Sequence, residues 1–299
     1  MYHRPVMLNQ CLEGLNIRPE GTYVDVTFGG GGHSLAILEY IKGGRLIAFD
    51  QDADAEAEAS KINHRSFTFC KANFRYMKQY LKLNGVTKVD GILADLGISS
   101  HQIDSPERGF STRFDGPLDM RMDQSSKTTA SKIVNEFPEE ELHKIFGMYG
   151  ELKNAKTVAK EIARLRTVKP FATTIDLKGA LGKLAPKGKE NKYFAQVFQA
   201  LRLVVNEELR ALEGFLHQCA EVTAKDGRLV VMSYHSLEDR MVKNYINTGK
   251  VFGDLEKDFF GNPIRPFGAV NRKVIEATEE EIEQNSRARS AKLRIAERL

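Results

Sequence analysis

Three features of the sequence could take part in chemistry, and each comes at the end of a short apolar run. Glycines 29–32 follow the first run, and the acids Asp50 and Asp95 end the second and fourth runs. Glycines let a backbone approach a ligand closely, and the first N–H groups of a following helix are free to bind it. Ligands of open α/β sheets bind beyond the carboxyl ends of the strands. The spacing therefore predicts a ligand loop with carboxylates beside it.

The glycine loop does not match the common nucleotide-binding fingerprints. A GxGxxG pattern fails at its third glycine from either starting position, and no GxxxxGK[ST] is present. Asp50, 21 residues after Gly29, is placed to accept hydrogen bonds from both hydroxyls of a ribose. Nicotinamide enzymes and enzymes that use S-adenosylmethionine (AdoMet) share that feature, and a helix N-cap is the structural alternative. Phe74, after the third strand, suits an adenine face or ordinary core equally.

Asp95 lies where the reaction centre of such a sheet is expected. An exocyclic amine is a weak nucleophile because its lone pair is conjugated with the ring. A carboxylate that accepts its N–H can orient the amine and accommodate developing positive charge. In an amino-group methyltransferase Asp95 would be the catalytic residue, although an acid at a strand end does not by itself specify the acceptor. A structural cap at the strand end is the alternative.

The elements that must position these residues alternate through the first third of the chain. Strands are predicted at 22–27, 45–50, 66–70 and 89–95, with helices at 33–42, 52–62 and 73–83. This alternation favours a parallel sheet with helices on both faces. Residues 97–127 show no periodicity, and helices are predicted at 131–136, 138–148, 151–166 and 174–184. The α/β pattern then resumes, with a long helix or a broken pair at 192–222, a strand at 227–232, a helix at 236–247 and a strand at 274–277.

The resulting prediction is an α/β domain interrupted by a helical insertion. Its parts are 1–103, 104–192 and 193–299, the last ending in a basic tail. Residues 151–192 carry a net charge of +7 and residues 285–299 a net charge of +4, although the whole chain carries only +4. Two basic attachments on a mildly acidic body fit a polyanionic partner, and a solubilising surface is the alternative.

Composition excludes several classes of protein. Hydrophobic residues make up 41% and charged residues 28%, as in globular domains. No apolar run is long enough for a membrane helix, and no secretory signal is visible. The three cysteines form no CxxC motif, so they are expected to be reduced, buried and not bound to a metal. We expect a cytoplasmic protein with no membrane partner.

Motifs along nearly the whole chain resemble one family, the bacterial small-subunit ribosomal RNA cytosine-N4 methyltransferases (MraW/RsmH). The matching blocks, in order, are His3–Val6, Asp25–Ser34, Phe49–Asp52, Asp95–Gln102, Arg108–Ser111, Asp115–Asp123, Phe198–Arg202, Asn206–Leu209, Ser233–Arg240 and Arg287–Arg294.

The resemblance implies a Rossmann-like class I AdoMet-dependent sheet with an inserted all-helical domain. It also implies methyl transfer to N4 of a cytidine in the decoding region of 16S rRNA, within the 30S subunit, and it leaves a homodimer open. The family's AdoMet contacts fall on Gly31, Gly32, His33, Asp50, Phe74, Asp95 and Gln102.

Further residues are candidates for contact with the RNA substrate. They are Arg113, Asp115, Asp119, Arg121, Tyr234, His235, Arg287 and Arg289. The acids and arginines of 113–123 suit either a base contact or a network that fixes the loop. Tyr234 and His235 follow a strand, and one of the two is predicted to stack on a flipped cytosine. His235 and Glu238 lack a third metal ligand, so no metal site is predicted.

Three other functions remain open from the residues alone. A nicotinamide-dependent oxidoreductase shares the sheet and Asp50, and would bind NAD(H) but not AdoMet. A non-catalytic RNA-binding assembly factor would bind RNA without methyl transfer. A DNA amino-methylase would prefer DNA to ribosomal substrate.

Overall fold

The structure, a computed structural model, describes residues 5–299. His3 and Arg4 of the first sequence block lie outside the described residues. The chain divides into two compact units, Met1–Gly97 with Leu209–Leu299, and Ile98–Glu208. The functional division into 1–103, 104–192 and 193–299 stays a prediction.

The first unit is built on one eight-stranded sheet. The strands are β1 Thr22–Asp25, β2 Arg45–Asp50, β3 Phe67–Lys71, β4 Val89–Asp95, β5 Thr223–Ser233, β6 Phe267–Ala269, β7 Ile275–Glu276 and β8 Lys292–Arg298. Their order is β3-β2-β1-β4-β5-β8-β6, and β7 also pairs with β8. The first five strands are parallel, whereas β6, β7 and β5 run antiparallel to β8.

Helices cover both faces of this sheet. They are α1 Leu8–Leu15, α2 Gly32–Tyr40, α3 Ala53–Ala59, α4 Met77–Leu83, α11 Glu208–Val222, α12 Ser236–Thr248 and α13 Glu279–Gln284. Alternate strand residues enter two different cores: Val24 and Ile47 lie in one, and Tyr23 and Leu46 in the other. Strands buried on both faces read as continuous apolar runs, which is why the parallel strands were visible in the sequence.

The second unit is helical. Its helices are α5 Ser100–Asp104, α6 Ala130–Glu136, α7 Glu139–Met148, α8 Ala155–Leu165, α9 Thr174–Leu181 and α10 Glu190–Val205. Val158, Ala159 and Ile162 give α8 one buried face, and they share a core with Phe146 of α7 and Val197 of α10. The predicted α/β class with a helical insertion is confirmed.

Two open points of the sequence analysis are settled by backbone geometry. The 192–222 region is a broken pair, because Glu207 between α10 and α11 has a left-handed φ of 48°. Residues 97–127, which showed no periodicity, contain the short helix α5 and a 3₁₀ turn at Pro106–Arg108.

The expectation of a basic tail at 285–299 is wrong for its last part. Residues 292–298 are β8, which lies between β5 and β6 with Leu293 fully buried. Arg294 donates to Asp239 from Nε (2.7 Å) and from a terminal nitrogen (3.1 Å). The strand escaped detection because its apolar residues alternate with basic ones and its partners are distant in sequence.

All three cysteines are free and buried, as predicted. Burial raises the pKa of the Cys11 and Cys219 thiols well above the ordinary value. They therefore serve as small apolar side chains.

Candidate active site at the carboxyl ends of the strands

Three carboxylates end neighbouring parallel strands. Asp25 ends β1, Asp50 ends β2 and Asp95 ends β4. Strand β1 lies between β2 and β4, so the order of the sheet reverses here. Such a switch point forms the crevice in which open α/β sheets bind ligands. The structure thus brings Asp50 and Asp95 to one edge, as their positions predicted.

The glycine loop needs its glycines for internal reasons as well. Gly29 and Gly31 have φ of 51° and 79°, which favour glycine. A Cβ on Gly31 would lie 2.7 Å from Cζ of Phe28, and one on Gly32 would lie 2.4 Å from Cγ of Pro5. Gly31 caps α2 without a side-chain hydrogen bond. No side chain therefore caps the first N–H groups of α2. These N–H groups can bind a ligand, and the glycines leave room for the ligand to approach them closely.

Asp50 fixes this loop. Its Oδ2 accepts from the N–H of Gly29 (2.8 Å), and its Oδ1 accepts from the N–H of Asp52 (2.9 Å). Asp52, not Asp50, caps helix α3. Burial raises the pKa of Asp50 to about 6, although these two hydrogen bonds lower it. Each carboxylate oxygen keeps a second lone pair, so Asp50 can still accept from ligand hydroxyls.

Asp95 is held by three contacts within the same unit. Its N–H donates to Oγ1 of Thr27 (2.7 Å), and its Oδ1 accepts from the hydroxyl of Tyr234 (2.8 Å). Its Oδ2 lies 3.8 Å from Nδ1 of His33, and its side chain is 24% exposed. Burial raises the pKa of Asp95 to about 6, while His33 and the Tyr234 hydrogen bond lower it.

His33 is buried at the start of α2, with Nε2 3.2 Å from the carbonyl oxygen of Val6. A carbonyl only accepts hydrogen bonds, so Nε2 carries the proton and Nδ1 faces Asp95. His33 therefore links the segment before α1 to the Asp95 carboxylate.

Asp25 and its partners were missed as functional residues. Asp25 is fully buried and accepts from the Ser34 hydroxyl (2.7 Å) and the Thr27 N–H (3.1 Å). Burial raises the pKa of Asp25. Thr27 thereby links Asp25 to Asp95. An acid at the end of the first strand was a visible signal, but nothing in the sequence indicated these partners.

Phe74 starts a 3₁₀ turn and is half-buried. Its ring contacts the edge of Phe215 at a centroid distance of 5.4 Å. The Phe74 ring therefore packs against the core and is also partly accessible. Its position is compatible with an adenine contact and with an ordinary core role.

Tyr234 and His235 both make contacts within the first unit. The Tyr234 hydroxyl binds Asp95, and burial raises the pKa of Tyr234 well above the ordinary value, so it stays a donor. His235 caps α12 through Nδ1, which accepts from the Glu238 N–H at 3.4 Å. Stacking of either ring on a base stays a prediction.

The candidates in the second unit mostly fix their own loops. Gln102 is buried and closes a capping box with Ser99 at the start of α5. Asp119 accepts two hydrogen bonds from Arg121 (2.8 and 2.7 Å). Burial raises the pKa of Asp119, but Arg121 lowers it by more, so the pKa lies below its ordinary value. Asp115 accepts from the Ile175 N–H (3.3 Å), and Arg113 is exposed.

The remaining candidates lie just before β8. Arg287 and Arg289 belong to the 3₁₀ turn Ser286–Ser290, where Arg289 is exposed and Arg287 half-buried. Within residues 5–299, no group of three or more His, Cys, Asp or Glu side chains is arranged to hold a metal ion. In the same residues, no helix is long and apolar enough to cross a membrane.

Comparison with known proteins gives a match over the whole length. The profile of the MraW methylase family matches residues 1–299. Ribosomal RNA small subunit methyltransferase H of Cytophaga hutchinsonii is 59% identical over 298 residues, covering 100% of both chains. The protein of the same name from Bacteroides thetaiotaomicron is 52% identical over 298 residues, covering 99% of this chain and 97% of its own.

Solved structures resemble the chain more remotely. The crystal structure of TrmN from Thermus thermophilus matches with a TM-score of 0.42 and 12% identity over 98% of this chain. The chain spans 48% of that protein's length.

Proposed function

The chain belongs to the MraW methylase family, as the sequence motifs predicted, and from that premise we propose that it transfers the methyl group of AdoMet to N4 of a cytidine in 16S rRNA. The relatives' names support an rRNA of the small subunit as substrate. The choice of N4, the decoding region and the assembled 30S subunit belong to the proposal.

The strand-end residues suit AdoMet. At the start of α2, the backbone of Gly31 and Gly32 has no side chains that would keep a ligand away. Asp50 offers free lone pairs for ribose hydroxyls. The accessible part of Phe74 suits the adenine, and Gln102 and His33 are further proposed contacts. AdoMet, when bound, supplies an electrophilic methyl group on a positively charged sulfonium.

Asp95 is the proposed catalytic residue. Its carboxylate accepts an N–H of the cytosine amine, which orients the nitrogen and stabilises the positive charge that develops there. The amine must lose one proton for the methyl group it gains. With a pKa of about 6, the Asp95 carboxylate is ionised at neutral pH and suited to accept that proton. Tyr234 holds Oδ1, and His33 faces Oδ2.

Arg113, Asp115, Arg287 and Arg289 are proposed to contact the RNA backbone or the target nucleotide. Asp119 and Arg121 bind each other, which favours a role in shaping the loop that the RNA meets. A homodimer is a further proposal, which sedimentation of the free protein tests.

The single observation that carries the proposal is Asp95 at the end of β4, held by Tyr234 in a chain of this family. We expect Asp95→Ala to reduce methyl transfer to unmodified 30S subunits at least ~100-fold while AdoMet still stabilises the protein. Glu39→Gln, a charge change on the exposed face of α2, is the matched control. Full activity of folded Asp95→Ala protein would remove the assignment, and binding of NAD(H) instead of AdoMet would favour an oxidoreductase.

A further inference from the structure

Two phenylalanines stand almost fully exposed at the tip of an ordered loop between α12 and β6. Phe259 is 97% exposed and Phe260 84% exposed. The rings contact each other edge to face at 5.6 Å. Asp258 holds the tip by accepting from the Phe260 N–H (2.8 Å) and the Asn262 N–H (2.9 Å). Exposed aromatic rings do not gain the favourable free energy of burying apolar surface, so we expect a partner that covers them.

The base of this loop is attached to the sheet unit. The Ile264 N–H donates to the Glu256 carbonyl (2.8 Å), and the backbones of Lys257 and Pro263 pair in an isolated antiparallel β-bridge. Gly249, at the end of α12, has left-handed backbone, and a Cβ there would lie 3.0 Å from Pro266. The two sides of the loop are therefore paired near its base, and the loop projects from the sheet unit with the two rings at its tip.

A polar groove adjoins the base of the loop, because Arg265 of the loop contacts Asn247, which lines the groove. It is lined by Lys243, Asn247, Asn271, Arg272, Lys273 and Arg294, among others. Arg265, from the loop, donates to the carbonyl of Asn247 (3.5 Å).

The charge of the groove is not neutralised from within. Arg294 is paired with Asp239, but Lys243, Arg272 and Lys273 form no ion pair with any residue in the described range 5–299. The groove thus offers three cations without an ion-pair partner in the described range and two amide side chains, at the base of the loop that carries the aromatic pair.

We propose that this surface, the Phe259/Phe260 loop with the Lys243/Arg272/Lys273 groove, binds an unpaired RNA segment of the substrate outside the catalytic crevice. This inference rests on the proposed function. Base faces stack on exposed aromatic rings without sequence preference, and cations beside them hold the phosphates. The loop also exposes Phe252 and Ile264, so apolar surface alone would suit a protein partner equally well. The three cations of the groove are what favour a polyanion such as RNA.

The test uses the full chain and a short fluorescein-labelled single-stranded RNA without self-structure, with the same sequence annealed to its complement for comparison. We expect Phe259→Ala/Phe260→Ala to weaken single-strand binding at least about tenfold without changing the salt dependence. Lys243→Ala/Arg272→Ala/Lys273→Ala should reduce the slope of log K against log salt by about 2, since each lost phosphate contact removes about 0.7.

Matched controls remove equally exposed groups elsewhere. Leu83→Ala removes a side chain that is 80% exposed and lies outside the stretch 151–192, and Lys42→Ala/Lys82→Ala removes two exposed cations. Both controls should bind RNA like the unsubstituted protein. Wild-type affinity in both loop and groove variants would overturn the inference. So would a loss of binding to 30S subunits with unchanged affinity for free RNA, because that result indicates a ribosomal protein as the partner.

Failure of the inference and of the proposed function can be told apart with the same preparations. Methyl transfer by the unsubstituted protein, with no effect of the loop and groove changes on RNA binding, overturns only the inference. Absence of AdoMet binding and methyl transfer overturns the proposed function, while RNA affinities of the variants still decide whether the surface binds RNA.

Discussion

Asp95 is the residue on which several opposing effects meet. Burial raises its pKa, whereas His33 and the Tyr234 hydroxyl lower it, and the result is a pKa of about 6. The two neighbours thus keep a half-buried carboxylate ionised at neutral pH. Asp50 reaches a similar pKa of about 6 through burial opposed by two backbone N–H groups. Such poised carboxylates are typical of functional sites.

The Tyr234 hydrogen bond should be visible in the pH profile. In the proposed mechanism the ionised form of Asp95 is the active one, so transfer should decline as pH falls through about 6. Tyr234→Phe removes a donor that lowers this pKa, so the acidic limb should move to higher pH, with a loss at neutral pH. The measurement is the single-turnover rate between pH 5 and pH 9. An unchanged profile would mean that the hydroxyl does not influence Asp95.

The charge of Asp95 should cost stability. Its folded pKa lies above the unfolded value, so its contribution is most favourable at pH values below both and is lost as pH rises through about 6. We therefore expect Asp95→Asn to raise Tm by a few degrees at pH 8, an effect of roughly 1–3 kcal/mol, and to lose this advantage at pH 4. Thermal unfolding of both proteins at both pH values tests this prediction. It is contradicted if the Tm difference between Asp95→Asn and wild type is smaller at pH 8 than at pH 4.

The elements differ in how far the sequence revealed them. The parallel strands β1 to β4 and helices α6 to α9 were predictable, because continuous apolar runs and helical periodicity are local signals. Helix α1 and strands β6 and β8 were not, since β8 depends on pairing with β5, some 60 residues away. The same limit applies to the site: Asp50 and Asp95 were found from strand ends, whereas the Tyr234–Asp95 contact joins residues 139 apart.

Strand β8 should be essential to the sheet. Leu293 is fully buried, so Leu293→Ala should lower the free energy of unfolding by roughly 2–5 kcal/mol. Arg289→Ala, at an exposed position four residues earlier, should change it by less than about 0.5 kcal/mol. Urea unfolding compares the two. Equal, small effects would mean that residues 285–299 behave as the tail suggested by their charge.

The glycine loop can be tested against a glycine with the same backbone. Gly31 and Gly85 both have left-handed φ, 79° and 71°, but a Cβ on Gly85 meets nothing within 4 Å. Gly85→Ala therefore incurs backbone strain alone, roughly 1 kcal/mol or slightly more. Gly31→Ala adds a clash with Phe28 and should destabilise further and weaken AdoMet binding. Equal stability of the two variants with unchanged AdoMet affinity would contradict the described loop.

Across the whole molecule, the net charge is too small to explain polyanion binding by itself. The net charge is +4 from 44 basic and 40 acidic residues. Several arginines near the C-terminus are structural: Arg294 binds Asp239, and Arg298 donates to the Ala220 carbonyl at 3.1 Å. We therefore propose that affinity for RNA comes from local groups such as Lys243, Arg272 and Lys273 and from the basic stretch 151–192. The regional charge counts indicated the second of these but not the first.

The most direct test of the central claim is to incubate the protein with methyl-labelled AdoMet and 30S subunits that lack the modification, and then to analyse the labelled nucleosides. We expect the label in N4-methylcytidine, and none with Asp95→Ala. Label in a different nucleoside would retain the methyltransferase and refute the proposed acceptor. Absence of label from 30S subunits and from free 16S rRNA, with AdoMet bound and a competent control enzyme active, would contradict the account.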